Sequence, residues 1–205
     1  MTTKQKILNA AMTLFAEKGY SDVYVGEIAE AVGIKAPSLY KHFKSKQEIF
    51  NAILNEMKNN YDKQAAALHM NGSSAECDAP MFSDISEDML VKMGIGLFRF
   101  FLNDEYASKF RKMLTLEQFR NGELSVLYSK QYVDNPLEYQ SAVFAFISAS
   151  GGFINANPNI MALHFYAPIY MLLTMCDRQP EREDEALRLI EEHIKQFRAV
   201  YSKEK

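Results

Sequence analysis

Cysteine is scarce in this chain of 205 residues, which holds only Cys77 and Cys176. The two lie far apart and show no CxxC spacing, so they favour neither a disulfide framework nor a thiolate metal site. The sequence therefore predicts two reduced, incidental thiols.

Long hydrophobic runs are also missing. The longest apolar stretch covers residues 161–176, is interrupted by His164 and Pro168, and falls short of the roughly 20 residues that a membrane span needs. Residues 1–6 lack the apolar core of a signal peptide. These two features predict a soluble, cytoplasmic protein.

Enzyme motifs are missing as well. None of the four histidines follows a glutamate by three residues, and no His-Glu-x-x-His, phosphate-binding Gly-Lys-Ser/Thr or Gly-x-Ser-x-Gly run occurs. Gly94 and Gly96 lack the third glycine of a dinucleotide motif. An all-α enzyme is thus a weak alternative, and we expect no metal and no cofactor.

Acidic residues are absent between Glu30 and Glu48. The same interval holds His42 and four lysines, and residues 1–50 carry seven lysines against five acids, whereas the rest of the chain has 16 basic and 21 acidic residues. Duplex DNA carries about one negative charge per 1.7 Å of its axis, so a short basic segment without acids is typical of phosphate binding. Any DNA contact is therefore expected in the first fifty residues, although the whole chain has a net charge of −3.

Arginine is absent from the first fifty residues. The bidentate arginine–guanine contact cannot be made there, which leaves Lys35 or Lys41 as guanine donors.

What is present is helical periodicity along nearly the whole chain. Near the N-terminus, apolar residues at helical spacing predict helices over residues 4–18 and 25–32, with Gly33 in a tight turn between the second and third helices. Pro37 fits the first turn of the third helix. Ser45 and Glu48 have the spacing of a capping box at the start of a fourth helix, which is predicted to continue to about Met70.

Residues 71–80 are rich in turn formers and are predicted to be a mobile loop. Further helices are predicted over residues 86–103, 106–119, 123–133, 137–150, 159–176 and 183–201.

These patterns predict an all-α fold of about nine or ten helices. An N-terminal three-helix helix-turn-helix domain (residues 1–48) is joined by the long fourth helix to a larger helical domain (residues 49–205) for ligand binding and dimerisation.

Three runs of the N-terminal residues resemble a known family. Their order is Ile7-Leu8-x-Ala10-Ala11-x-x-Leu14-Phe15-x-x-x-Gly19-Tyr20, then Ile28-Ala29-x-x-Val32-Gly33-Ile34, then Leu39-Tyr40-x-x-Phe43-x-Ser45-Lys46-x-x-Ile49-Phe50. This order is similar to that of the N-terminal domain of TetR-family bacterial transcriptional regulators. The resemblance covers about the first quarter of the chain.

The resemblance implies a homodimer on a palindromic double-stranded operator, with each third helix in a major groove and half-sites about 34 to 36 Å apart or a multiple of it. It also assigns residues to the DNA. Tyr40 and Lys46 would hold phosphates, Lys46 beside the positive N-terminal end of the fourth helix, and His42 stands where the family often has a phosphate-binding tyrosine. Residues near the base edges would be Ala36, Pro37, Ser38 and Lys41, with Lys35 as a further candidate.

Three positions depart from the family pattern. Tyr24 and Lys35 stand where the second and third helices usually begin with a capping serine or threonine, and Gly26 where a basic residue is frequent. A lost N-cap costs about 1 kcal/mol, and each lost phosphate contact flattens the salt dependence of binding by nearly one unit. A ligand- or protein-binding module with weak DNA affinity is therefore the alternative function.

In this family the C-terminal domain binds a small effector and pairs the subunits through its last two helices. The periodicity of residues 160–201 fits such an interface, and an ordinary intramolecular core is the alternative. Interface candidates are Phe165, Ile169, Leu172, Leu187, Ile190, Ile194 and Phe197.

Methionine and aromatic residues beyond residue 85 suit a pocket for an apolar or planar effector, although core packing explains most of them equally well. Gly94 and Gly96 suggest close helix approach or room for a ligand. Pocket candidates are Met93, Phe98, Phe101, Met113, Phe119, Tyr128, Phe144 and Phe165. A repressor released when the effector displaces the fourth helix is the expected mechanism.

Overall fold

A computed structural model describes residues 1–67, 70–72 and 74–203 of the chain. Over these residues the fold is all-α, as predicted, and the single β-type contact is an isolated bridge between Phe153 and Ser202. The chain forms two compact units, one of residues 1–61 with 105–129 and one of residues 62–104 with 130–205.

Eleven α-helices run through the described residues. They are α1 (Thr3–Lys18), α2 (Val25–Val32), α3 (Ala36–Leu39), α4 (Lys46–Ala67), α5 (Ala75–Asp84), α6 (Glu87–Asn103), α7 (Glu105–Glu117), α8 (Gly122–Ser129), α9 (Asn135–Ala149), α10 (Pro158–Arg178) and α11 (Glu183–Tyr201). A π-helical turn, Lys130–Asp134, joins α8 to α9 without a break, and a 3₁₀ turn, Pro180–Arg182, precedes α11. The predicted end of α4 near Met70 falls partly on residues outside the described ranges.

In the first unit, the hydrophobic residues of α1 form the centre of a small core. Ile7, Ala11 and Phe15 are fully buried, and the Tyr20 ring stands edge-on between Phe15 and Phe50 at centroid distances of 5.2 and 5.0 Å. Because these side chains recur at helical spacing, the sequence alone indicates which face of α1 is internal.

The turn between α2 and α3 has the geometry expected from Gly33. This residue has φ +76°, and its N–H donates to the Glu30 carbonyl at 2.9 Å. At the start of α4, Ser45 Oγ accepts from the Glu48 N–H at 3.1 Å, while the Glu48 carboxylate accepts from Lys44 N–H at 2.6 Å. The predicted cap at Ser45 is confirmed, but the return contact of Glu48 lies one residue earlier than in a capping box.

Helix α7 belongs to the first unit, where it packs along α1. Polar pairs join the two helices: the Tyr106 hydroxyl donates to Asn9 Oδ1 at 2.5 Å, and Lys109 Nζ donates to Thr13 Oγ1 at 2.8 Å. The compact unit therefore contains more than the three helices of residues 1–48, and the functional boundary at residue 48 stays a prediction.

In the second unit, the predicted loop over residues 71–80 is wrong for its latter part. Residues 75–84 form α5, with Pro80 inside the helix. The buried Asp78 carboxylate accepts hydrogen bonds from the N–H groups of Asn71 (2.6 Å) and Gly72 (2.8 Å) and from the Tyr139 hydroxyl (2.6 Å). This carboxylate holds the preceding turn against the helix, a contact that turn statistics do not register.

Two apolar clusters fill the second unit. One gathers α5, α9, α10 and α11 around Phe144 and Phe197, and the other gathers α6, α10 and α11 around Ile190 and Ile194. A Cβ atom on Gly94 would lie 2.5 Å from Ile194 Cδ1, whereas one on Gly96 would meet nothing within 4 Å. Of the two roles expected for Gly94, the structure shows close helix approach.

Candidate nucleic-acid interface

The second helix of the helix-turn-helix presents most of the predicted DNA-contacting residues to solvent. We call Lys35, Pro37, Tyr40, Lys41, His42 and Lys44 the α3 surface; all six are exposed. Ala36 and Ser38 are partly buried beside them. With three lysines, a histidine and a tyrosine hydroxyl, this surface has the donors and the positive charge that bind phosphate.

Two apolar anchors hold the α3 surface outward. Leu39 and Phe43 are 0% and 2% exposed, and the Phe43 N–H donates to the Leu39 carbonyl at 3.1 Å, which continues the helical turn past the end of α3. Lys4 Nζ lies 5.3 Å from the centroid of the Phe43 ring. Lys4 thus adds a positive charge near this anchor that the sequence analysis did not assign to the site.

Lys46 is partly buried, and its ammonium binds backbone carbonyls of its own unit instead of joining the α3 surface. Its ammonium donates to the Tyr20 carbonyl at 2.8 Å and to the Val23 carbonyl at 2.9 Å, and it stands 4.3 Å from the Tyr20 ring centroid. Burial lowers the pKa of Lys46, while the Glu117, Asp22 and Glu27 carboxylates act in the opposite direction. The expected phosphate contact thus competes with an internal role for the same ammonium.

Tyr24 precedes α2 without acting as a side-chain cap. Its N–H donates to the Glu27 carboxylate at 2.8 Å, which satisfies one end of a capping box, and Glu27 also pairs with Lys18 at 2.7 Å. The Tyr24 side chain is 73% exposed, and a Cβ on Gly26 would meet nothing within 4 Å. The departure at Tyr24 therefore leaves an exposed aromatic hydroxyl at the start of α2.

Glu117 is a residue that sequence reasoning missed. It is the last residue of α7 and is 0% exposed, and its carboxylate accepts from both the N–H and the hydroxyl of Ser21, each at 2.7 Å. Next to it, Arg120 pairs with Asp22 at 2.6 Å. These contacts span almost a hundred residues of chain, so no local pattern could indicate them.

The effector-pocket candidates divide between the two units. Met113 and Tyr128 belong to the first unit, as does Phe119, whose side chain is 92% exposed. In the second unit, the ring centroids of Phe165 and Phe144 are 5.6 Å apart. Phe98 and Phe101 belong to the cluster around Ile190 and Ile194, which Phe165 also contacts. Met93 is buried on α6.

Most of the dimer-interface candidates face the core of their own unit. Leu172, Leu187, Ile190, Ile194 and Phe197 are at most 9% exposed, and Phe165 and Ile169 are partly buried. The periodicity correctly indicates the apolar side of α11 but does not distinguish a core from a subunit interface. On α10 a different set of apolar residues faces outward, namely Ile160, Leu163, Ala167 and Met171.

Helix α10 has 21 residues and is longer than the helix predicted over residues 159–176. By length and composition it could cross a membrane, with a mean hydropathy of 1.3 over its most apolar window, of which 28% is buried. Met161, Ala162 and Cys176 are nevertheless buried against the second unit's own helices. One side of α10 is thus a core face and the other an exposed apolar face.

Among the residues that the structure describes, no three His, Cys, Asp or Glu side chains are grouped so that they could hold a metal ion.

Comparison with known proteins places this geometry among helix-turn-helix proteins. Residues 7–53 match the family model described as bacterial regulatory proteins, tetR family. The negative transcriptional regulator IcaR of the biofilm operon icaADBC from Staphylococcus aureus (strain Newman) is 39% identical over 75 residues, which cover 30% of this chain and 40% of that protein. The chain thus spans well under half the length of this curated relative.

Solved structures show that the fold continues beyond the matched segment. A TetR-family regulator from Mesorhizobium loti aligns with a TM-score of 0.69 over 98% of this chain and 97% of that one, at 19% identity. SmeT of Stenotrophomonas maltophilia in complex with triclosan aligns with a TM-score of 0.68 over 100% of this chain and 93% of that one, at 21% identity.

The fold and the exposed basic helix define a two-unit, all-α helix-turn-helix protein. The N-terminal match then identifies residues 7–53 as a helix-turn-helix segment of the kind found in TetR-family regulators, which confirms the resemblance found in that part of the sequence.

Proposed function

We propose that this protein is a homodimeric DNA-binding repressor that leaves a palindromic operator when a small aromatic effector binds. The observation that carries the proposal is the α3 surface, whose basic side chains are solvent-exposed while Leu39 and Phe43 anchor it from within. Such a surface binds phosphates for register and reads base edges through a few side chains.

Within the α3 surface we assign different roles to different residues. Lys35 and Lys41 are the guanine donors, with Ala36, Pro37 and Ser38 nearest the bases, and Tyr40 and His42 hold phosphates.

Selection of bound duplexes from a random pool tests DNA binding and finds the operator in one experiment. We expect a palindromic consensus and steep salt dependence. Lys41→Gln should weaken binding and relax the sequence preference at the guanine that Lys41 contacts. Lys58→Gln, a matched exposed lysine on α4, should change neither. Failure to enrich any sequence would favour the alternative, a ligand- or protein-binding module.

We propose that two copies pair through the outward faces of α10 and α11. Leu163 and Met171 are 47% and 60% exposed on α10, and Leu189 and Val200 are 42% and 55% exposed on α11. An apolar helix face of this kind is stabilised when a second copy covers it. Met171→Glu should therefore give a monomer in analytical ultracentrifugation, whereas Met89→Glu, at a methionine 50% exposed on α6, should remain dimeric.

The effector class follows from the aromatic side chains of the second unit. The rings of Tyr166 and Tyr170 lie nearly parallel at 5.8 Å, and Tyr132 on the π-helical turn lies 6.1 Å from Tyr170. Helical π turns are rare and occur frequently at functional sites. Together with Phe144 and Phe165, these rings favour a planar apolar effector.

Triclosan, which SmeT binds in its solved complex, is a suitable probe of this class. A fluorescence titration should show triclosan binding, and operator affinity should fall in its presence by about five- to 150-fold. Binding of triclosan without any change in operator affinity would contradict coupling for this compound. As a DNA-binding regulator with these properties, the protein would act in the cytoplasm.

A further inference from the structure

Residues 20–23, here called the α1–α2 turn, are held from one side by Lys46. The Lys46 ammonium donates to the carbonyls of Tyr20 and Val23 at 2.8 and 2.9 Å, with the Ser21 carbonyl at 3.5 Å. An ammonium has three protons to donate, and two of its protons are taken by the short contacts. Lys46 therefore stabilises the turn that leads into α2 by hydrogen bonds to its carbonyls.

Glu117, at the end of α7, holds the same turn by binding hydrogen-bond donors instead of acceptors. Its carboxylate accepts hydrogen bonds from the N–H and the hydroxyl of Ser21, whereas the Lys46 ammonium donates hydrogen bonds to backbone carbonyls. Both Glu117 contacts are 2.7 Å long, and the side chain is 0% exposed. Charge-assisted hydrogen bonds of this length are roughly twice as strong as neutral ones, and a buried donor left without its acceptor is costly.

The space for this carboxylate depends on Gly19. A Cβ at Gly19 would lie 2.6 Å from Glu117 Oε1, and the residue has φ +88°. Glycine is therefore required here both by the backbone conformation and by the approach of Glu117. The last turn of α7, the end of α1 and the start of α4 thus meet at one point of the first unit.

We propose that Glu117 is a positioning residue for DNA binding, and that Lys46 acts with it rather than as a phosphate ligand. Through Ser21 and the neighbouring carbonyls, the two side chains fix the α1–α2 turn, and this turn sets the start of α2, on which α3 packs. The inference rests on the proposed DNA-binding function and assigns the residues that orient that site.

The sign of the effect separates this role from simple electrostatics. Glu117 carries a negative charge in the DNA-binding unit, so its removal should strengthen DNA binding if charge alone mattered. Positioning predicts the opposite, because Glu117→Gln cannot accept two charge-assisted hydrogen bonds from Ser21. Glu105→Gln removes the same charge from the same helix at a side chain 70% exposed, and it serves as the matched control.

The test measures affinity for the duplex recovered with the wild-type protein, with the active fraction determined by stoichiometric titration. We expect Glu117→Gln to bind about tenfold more weakly, with an unchanged salt slope, and Glu105→Gln to bind like wild type or slightly more tightly. Equal or tighter binding by Glu117→Gln would overturn the proposal. If that variant does not fold, Ser21→Ala, which removes one of the two contacts, should weaken binding about threefold, and no change would be equally decisive.

Lys46 is tested through the salt slope. Lys46→Met should weaken operator binding without changing the slope, whereas loss of a phosphate ligand would lower the slope by about 0.9. A lowered slope would assign Lys46 to the phosphate and contradict its positioning role.

Hydrogen exchange separates failure of this inference from failure of the proposed function. Amides of residues 20–23 should exchange faster in Glu117→Gln than in wild type or Glu105→Gln, with no DNA present. If the wild type enriched no DNA, the proposed function would fail while exchange still decided whether Glu117 holds the turn. Unchanged exchange would overturn the positioning role even if the protein bound an operator.

Discussion

The two glycines of α6 are expected to respond in opposite ways to the same substitution. Alanine is preferred over glycine inside a helix by about 1 kcal/mol. At Gly96 the new methyl meets nothing within 4 Å, so Gly96→Ala should raise the free energy of unfolding by about 0.5 to 1 kcal/mol.

At Gly94 the added methyl would lie 2.5 Å from Ile194 Cδ1, closer than side chains tolerate. Ile194 is 0% exposed, and overpacking of a buried site costs about 1 to 3 kcal/mol. After the gain in helix propensity, Gly94→Ala should be destabilised by up to about 2 kcal/mol. The two variants should therefore differ by about 1 to 3 kcal/mol.

Urea or thermal unfolding at one fixed protein concentration measures this difference, since oligomerisation makes the midpoint depend on concentration. For a chain of this size, 1 kcal/mol corresponds to about 2 to 4 °C in Tm. Ile194→Val removes the colliding atom and should partly rescue Gly94→Ala, although it costs about 0.5 to 1.5 kcal/mol by itself. Equal stability of the two alanine variants, or no rescue, would refute the close approach of α6 and α11.

Three further predictions follow from buried or paired groups. Asp78→Asn should lower the free energy of unfolding by about 1 to 3 kcal/mol, measured by urea titration, because its carboxylate accepts two backbone N–H groups and a tyrosine hydroxyl; an unchanged midpoint would contradict this. The hydrogen bond from Lys18, with that from the Tyr24 N–H, lowers the pKa of Glu27 below its usual 4.5. The ionised carboxylate therefore contributes stability above pH 4.5 that is lost as the pH falls. The Tm of Glu27→Gln should fall less on acidification than the Tm of the wild type. Iodoacetamide followed by mass spectrometry should modify the exposed Cys77 and spare Cys176, which is buried and whose pKa burial raises; equal labelling of both would show that the second unit opens readily.

The helices and the α3 surface were largely predictable from sequence. Predicted and observed bounds agree within about two residues for α1, α2, α6, α7, α10 and α11, because amphipathic spacing and caps are local properties. The exposure of Lys35 and Lys41 follows from the same local pattern, in which Leu39 and Phe43 must face inward.

One element shows where local reasoning failed, and a second shows what a periodic pattern leaves open. Residues 75–84 are helical despite Pro80, since Asp78 and its partners stabilise a segment whose composition favours turns. The apolar residues of α11 face the core of their own unit. The sequence did not decide this, since a periodic pattern shows that a face is buried but not which surface buries it.

By itself, the sequence determined the all-α class, the helix-turn-helix and its acid-free basic segment, since each depends on the spacing of neighbouring residues. Only the tertiary structure decided that Lys46 turns inward, that Glu117 meets Ser21, and that Gly94 lies against Ile194. These contacts join residues between about 20 and 100 positions apart. The physical reason is that hydrogen bonds and steric fit act over a few ångströms in space, whereas sequence periodicity reports only on neighbours along the chain.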